Sequence, residues 1–181
     1  QRFSRDPATV ARFIGEAKAV NRIQHRNIID IFAFGELEDG RHYLIMELLE
    51  GETLQALIHR RGSLPLPEAW PILEGVARAL DAAHAAGVVH RDLKPDNIFV
   101  VRQRDGKVTA KLLDFGIAKL VAKDTMAAVH LTRTGVAMGT PLYMAPEQCR
   151  GAGIDHRVDL YAFGIVVYET LAGSVPFDGD S

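Results

Sequence analysis

The stretch "HRDLKPDN", His90–Asn97, sets two acids, two bases, a histidine, an amide and a proline side by side, directly after the apolar run "AHAAGVV". Groups this polar cannot enter an apolar interior without partners, so the stretch reads as a loop at the lip of a cleft. The segments on either side should display it.

After the loop, "NIFVV" and "VTAKLLDFG" flank Asp105-Gly106, a hairpin signal that would bring Asn97 and Asp114 towards the same end of two paired strands. Before it, "PLPEAWPILEGVARALDAAHAAG" predicts a long helix, with Pro67 and Pro71 in its first turn and Gly87 at its C-terminal cap. Trp70, Leu73, Val76, Ala77, Leu80 and His84 recur at helical spacing and are expected to face a core, with His84 structural. Further out, "GETLQALIHRRG" reads as a short helix stopped by Gly62. "IIDIFAFGELEDGRHYLIMELL" reads as an antiparallel hairpin from about Ile28 to Leu48, and Ala8 to Ile23 as a helix. A final helix from His156 to Ala172, with Asp155 as N-cap, is apolar enough to be mostly buried.

The chain of 181 residues is 48% hydrophobic, enough for one sizeable core or two small lobes sharing a cleft. A formal charge of -2 gives no electrostatic reason to expect nucleic acid or an anionic membrane as partner. The one cysteine, Cys149, cannot form an internal disulfide and reads as a small filler side chain, so a reducing, cytoplasmic setting is expected. No apolar run approaches the roughly eighteen residues that span a bilayer, although a membrane anchor could lie outside this segment.

Three further motifs follow the opening stretch: "DFG" at Asp114–Gly116, "GTPLYMAPE" at Gly139–Glu147 and "DLYAFG" at Asp159–Gly164. With His90, Arg91, Asp92, Leu93 and Asn97 matching H-R-D-L-x-x-x-N, the chain resembles eukaryotic-type serine/threonine protein kinases, and among them the bacterial members. The resemblance implies an α+β, bilobal kinase-like fold. A truncated small N-terminal β lobe would occupy residues 1–49, and an incomplete, mainly helical C-terminal lobe residues 50–181.

The resemblance also implies a chemistry, with ATP and Mg2+ as cofactors and serine or threonine hydroxyls of protein substrates as acceptors. Phosphoryl transfer leaves the protein mainly positioning and charge neutralisation. Asp92 would orient the acceptor hydroxyl and take its proton, and Asn97 and Asp114 would supply the hard oxygens that magnesium prefers. Lys94 would touch the transferring phosphate, and Thr140 would bond to both Asp92 and Lys94. Glu16 would offer its carboxylate to an ATP-holding lysine. Met46 would guard the back of an adenine pocket, Glu47 and Leu49 would make hinge contacts, and Phe99 would pack beneath the ring. His90, Phe115, Val20 and Ile31 would stack into a spine resting on Asp159.

More than thirty residues between Asp114 and Glu147 show little periodicity, and a loop of that length in a compact domain is usually functional. Thr132 and Thr134 occupy the place where similar bacterial kinases phosphorylate themselves, and Arg91 could grip the new phosphate bidentately. Autophosphorylation between chains would call for a homodimer. The resemblance places a glycine-rich loop and the ATP-holding lysine before Glu16, yet the fifteen residues there hold no lysine. The segment by itself is therefore expected to have little activity. The alternatives are a pseudokinase or scaffold, decided by those upstream residues, and a small-molecule phosphotransferase, against which "GTPLYMAPE" weighs.

Overall fold

The computed structural model describes residues 23–38, 42–103, 106–113, 142–151 and 153–177. Nearly all of the helix expected over Ala8–Ile23 lies outside these, as do Glu16, Val20, Asp114, Phe115, Thr132, Thr134 and Thr140.

Both expected hairpins form. Strands β1 (Ile31–Glu36) and β2 (His42–Met46) pair antiparallel, from Ile31 opposite Met46 to Glu36 opposite His42, with an irregularity between Ile31 and Ala33. Strand β3 (Gly51–Thr53) leads into a three-stranded antiparallel sheet with β4 (Ile98–Arg102) and β5 (Val108–Leu112), in the order β3-β4-β5. The pairing of Ile98 with Leu112 and of Arg102 with Val108 fixes the β4–β5 register. β4 and β5 alternate burial, with Ile98, Val100, Ala110 and Leu112 all within the core, as period-two packing on one face requires.

Helix α1 (Leu54–Arg61) starts on Thr53, whose hydroxyl accepts from the Ala56 amide, and stops where Gly62 takes a positive φ of 80°. Helix α2 (Leu66–Ala85) crosses the sheet and packs on β5. Pro71 lies inside α2 and not in its first turn. It is tolerated because it faces solvent and the amide it lacks would have bonded to Pro67, at the very start of the helix.

The buried stripe of α2 differs from the expected one. Trp70 is 59% exposed and Ala77 is also exposed, whereas Ala69, Ile72, Leu73, Gly75, Val76, Ala79, Leu80 and Ala83 are buried. At Gly75 the missing side chain lets the helix backbone approach the sheet closely. A Cβ built on Gly75 would stand 2.8 Å from the Asn27 amide nitrogen and 3.3 Å from Ala110 Cβ. That Asn27 nitrogen donates to the Ala110 carbonyl at 2.7 Å, a buried bond made possible by the gap at Gly75.

A short helix and a longer one follow in the C-terminal part of the described structure. Helix α3 (Pro146–Arg150) carries Cys149, which is exposed and not a buried filler. Helix α4 (Arg157–Ala172) packs on α2, with Ala162 and Val166 in the shared core and Val158 and Ile165 also buried, but Leu160, Tyr168 and Leu171 remain exposed among the described residues, so its burial is one-sided. The N-cap of α4 is His156, not Asp155. Asp155 still satisfies the helix start, because its carboxylate accepts from the Arg157 amide at 2.9 Å and from the Arg157 guanidinium. Among the described residues no helix is long and apolar enough to cross a membrane.

Candidate active site

Residues 90–97 connect α2 to β4, with Pro95–Asn97 forming one turn of 3-10 helix. Contrary to the expectation of a loop wholly at a lip, half of the stretch is interior: His90 is fully buried, Leu93 is 2% exposed and Asn97 8%. The buried His90 and Asn97 can be interior because their side chains have hydrogen-bond partners.

His90 illustrates the accounting. Its Nε2 lies 2.9 Å from the Leu113 carbonyl, which can only accept, so Nε2 carries the proton. Its Nδ1 is then the acceptor, and it receives the Asp92 amide at 3.3 Å. Leu113 in turn donates its own amide to the Asn97 carbonyl at 2.8 Å. The residue immediately before Asp114 is thus tied both to His90 and to Asn97.

Asp159, 1% exposed near the start of α4, holds the loop from beneath. One oxygen accepts from the Arg91 amide at 2.8 Å; the other accepts from the His90 amide at 2.8 Å and from His84 Nε2 at 2.8 Å. These bonds accompany an Arg91 φ of +63°, the left-handed region that costs a side-chain-bearing residue about 1–3 kcal/mol. The sequence reading of His84 as structural stands, with Asp159 as its partner.

Above this floor three of the expected catalytic side chains converge. Asn97 Nδ2 donates to the Asp92 carbonyl at 2.8 Å and to Asp92 Oδ2 at 3.2 Å, and Lys94 Nζ stands 3.6 Å from the same Oδ2. The Asp92 and Lys94 side chains are 28% and 36% exposed, so both reach solvent. With Nδ2 committed to Asp92, the Asn97 amide presents its oxygen at its other end. That is a hard, uncharged ligand of the kind magnesium takes, so the donor chemistry fits the expected metal.

The expected nucleotide-binding residues lie on the path from β2 to β4. Met46 ends β2 and is 42% exposed, and Glu47 and Leu49 are half-buried on the connection to β3. Phe99 pairs with Thr53 and Lys111 in the sheet, and its ring lies against Gly51. The Glu47 amide donates to the Asp30 carbonyl at 3.0 Å, and its carboxylate accepts from the Asp30 amide and from Lys111. Sequence reasoning missed Lys111, a largely buried cation that ties this connection to β5. Its alternation with Ala110 and Leu112 was the available signal, since it marks Lys111 as off the core face.

The segment carrying "GTPLYMAPE" also reaches the site. Tyr143 donates its hydroxyl to the buried Glu169 carboxylate of α4 at 2.6 Å, and burial together with that carboxylate pushes the phenol's pKa up. Gln148, missed in the sequence, donates from Nε2 to the Arg91 carbonyl at 3.1 Å.

A model of the protein kinase domain matches residues 2–181. Serine/threonine-protein kinase pkn3 of Myxococcus xanthus is 46% identical over 176 residues, covering 97% of this chain and 32% of that protein. Serine/threonine-protein kinase Pkn1 of the same organism is 48% identical over 176 residues, 96% of this chain and 24% of that protein. Serine/threonine-protein kinase PknL of Mycobacterium tuberculosis is 44% identical over 181 residues, 99% of this chain and 43% of that protein. The chain spans less than half the length of these curated relatives. Its loop geometry and these matches agree, and the chain belongs to the protein kinase domain family.

Proposed function

We propose that the chain forms the catalytic part of a serine/threonine protein kinase, which moves the γ-phosphoryl group of ATP to serine or threonine hydroxyls of protein substrates. The observation that carries this reading is the cluster at Asp92: a solvent-reaching carboxylate, held by Asn97 Nδ2 at 3.2 Å, with an ammonium 3.6 Å away. The Ser/Thr direction rests on Lys94, two residues after Asp92, and on the names of the relatives.

Asp92 is placed to orient the acceptor hydroxyl and to take its proton as the new oxygen–phosphorus bond forms. Asn97 is the bond that stops its carboxylate from rotating. Lys94 holds positive charge beside the same oxygen, where a phosphoryl group crossing to the acceptor would need it. Asn97 and Asp114 are the residues that would hold magnesium, and Mg–ATP when bound supplies the phosphoryl group and the neutralising charge. Met46, Glu47, Leu49 and Phe99 are assigned to the adenine end, with Glu47 limited to its carbonyl because its amide is committed to Asp30. Glu16 is assigned to an ATP-holding lysine, and Thr140 to Asp92 and Lys94. Phosphorylation of Thr132 or Thr134, gripped by Arg91, would order the activation segment, and transfer between two copies would supply that phosphate.

The test is phosphate transfer from radiolabelled ATP–Mg by the full-length protein to a general protein substrate, followed by phosphoamino-acid analysis. Phosphoserine and phosphothreonine are expected, with transfer abolished by Asp92→Asn. An inactive wild type, or an active Asp92→Asn protein, would overturn the reading.

A further inference from the structure

We propose that Gln148 is a positioning residue for the transfer step, holding the peptide between Arg91 and Asp92 and so setting the aim of the Asp92 carboxylate. The inference rests on the kinase reading above and adds to it a link from the α3 segment to the reacting end of the loop.

Both ends of the Gln148 amide are committed, and their assignment is forced. Its Oε1 accepts from the Ala145 backbone amide at 3.0 Å, a group that can only donate. Its Nε2 therefore points the other way and donates to the Arg91 carbonyl at 3.1 Å, a group that can only accept. The first bond is the side-chain half of a helix N-terminal capping box and fixes the rotamer of Gln148 on α3. The Gln148 backbone N–H also donates to the Ala145 carbonyl at 2.9 Å, and Ala145 is fully buried, so the base of this lever is firm.

The receiving end is the one residue of the loop with a left-handed backbone, Arg91 at φ +63°. Its amide is anchored by Asp159 Oδ1 at 2.8 Å and its carbonyl by Gln148. The far side of that same carbonyl's peptide is the Asp92 amide, which donates to His90 Nδ1 at 3.3 Å. The plane that leads into Asp92 is thus fixed at both edges, one from within the loop and one from α3. A carboxylate that must accept a proton along a defined line needs that plane fixed.

Gln148→Glu keeps an oxygen for Ala145 but turns an oxygen towards the Arg91 carbonyl in place of a donor. Gln148→Leu removes both bonds at similar volume and serves if the first variant folds poorly. In the full-length protein we expect kcat to fall on the order of tenfold or more, as loss of aim at a reacting group does, with KM for ATP within about twofold of wild type. Amide exchange of the His90–Leu93 segment should accelerate selectively. A purely structural role would instead lower Tm while leaving kcat per folded molecule and that exchange unchanged, and this result overturns the proposal. A wild type that transfers no phosphate would sink the kinase reading alone. Exchange then decides the positioning claim: acceleration in Gln148→Glu upholds it, and an unchanged rate defeats it.

Discussion

Asp159→Asn is the sharpest probe of the site's floor. The substitution preserves shape but leaves one acceptor oxygen where there were two, under three donors at 2.8 Å. Whichever way the amide turns, its NH2 faces a donor, so at least one of the Arg91 and His90 amides loses its partner. A hydrogen bond to a charged acceptor contributes about 1.5–3 kcal/mol, and the bonds that survive weaken once the charge is gone. With Asp159 only 1% exposed, water cannot fully replace it. The left-handed Arg91 also loses its support. Together these give an expected loss of about 3–4 kcal/mol, a large part of the ~5–15 kcal/mol that holds a typical domain. Urea unfolding of the two proteins, with equal m-values, measures it directly. Native-state exchange should show the His90 and Arg91 amides opening before global unfolding. A change below about 0.5 kcal/mol, with those amides as protected as in the wild type, would refute the reasoning.

Three further outcomes are expected. Gly75→Ala gains helix propensity worth up to about 1 kcal/mol, but its Cβ would stand 2.8 Å from Asn27 Nδ2 and break the buried bond to Ala110, so a net loss of ~1–3 kcal/mol should appear in thermal unfolding. Tyr143→Phe removes the donor to the buried Glu169 carboxylate and should cost about 1–3 kcal/mol, read as a lower urea midpoint; an unchanged midpoint would show that the bond does not persist in solution. The Arg157 side chain and backbone hold the Asp155 carboxyl at about 2, below its ordinary value. Its contribution should be complete above pH 4 and vanish as the pH falls through about 2, so Asp155→Asn should flatten that acid limb in a Tm-against-pH series.

Legibility followed the locality of the signal. The hairpin signal between β4 and β5, the Gly62 stop and the spacing from His90 to Asn97 each depend on neighbours in the chain, and each could be read without knowing the rest. The buried face of α2 could not. A stripe chosen by large side chains found Trp70, whereas the buried face takes in the small residues Ala69, Gly75, Ala79 and Ala83, and at Gly75 the missing side chain makes room for Asn27 and Ala110. The convergence of Asp92, Lys94 and Asn97 was legible because all three sit within six residues. Gln148 and Lys111 were not, since their partners lie 57 and 64 residues away; the strand alternation sets Lys111 off the core face but does not name Glu47 as its partner.

The β4–β5 pair also has a grammar for length. Asn97 stands at its near end, bonded to Leu113, while the Gln103 to Lys107 turn closes its far end. Deleting one residue from β5 would swap Lys111 with Leu112, sending an ammonium inward and sliding the two ends of the site past each other. A short epitope spliced after Gln103 should leave catalysis intact, so the hairpin can be lengthened only away from the chemistry.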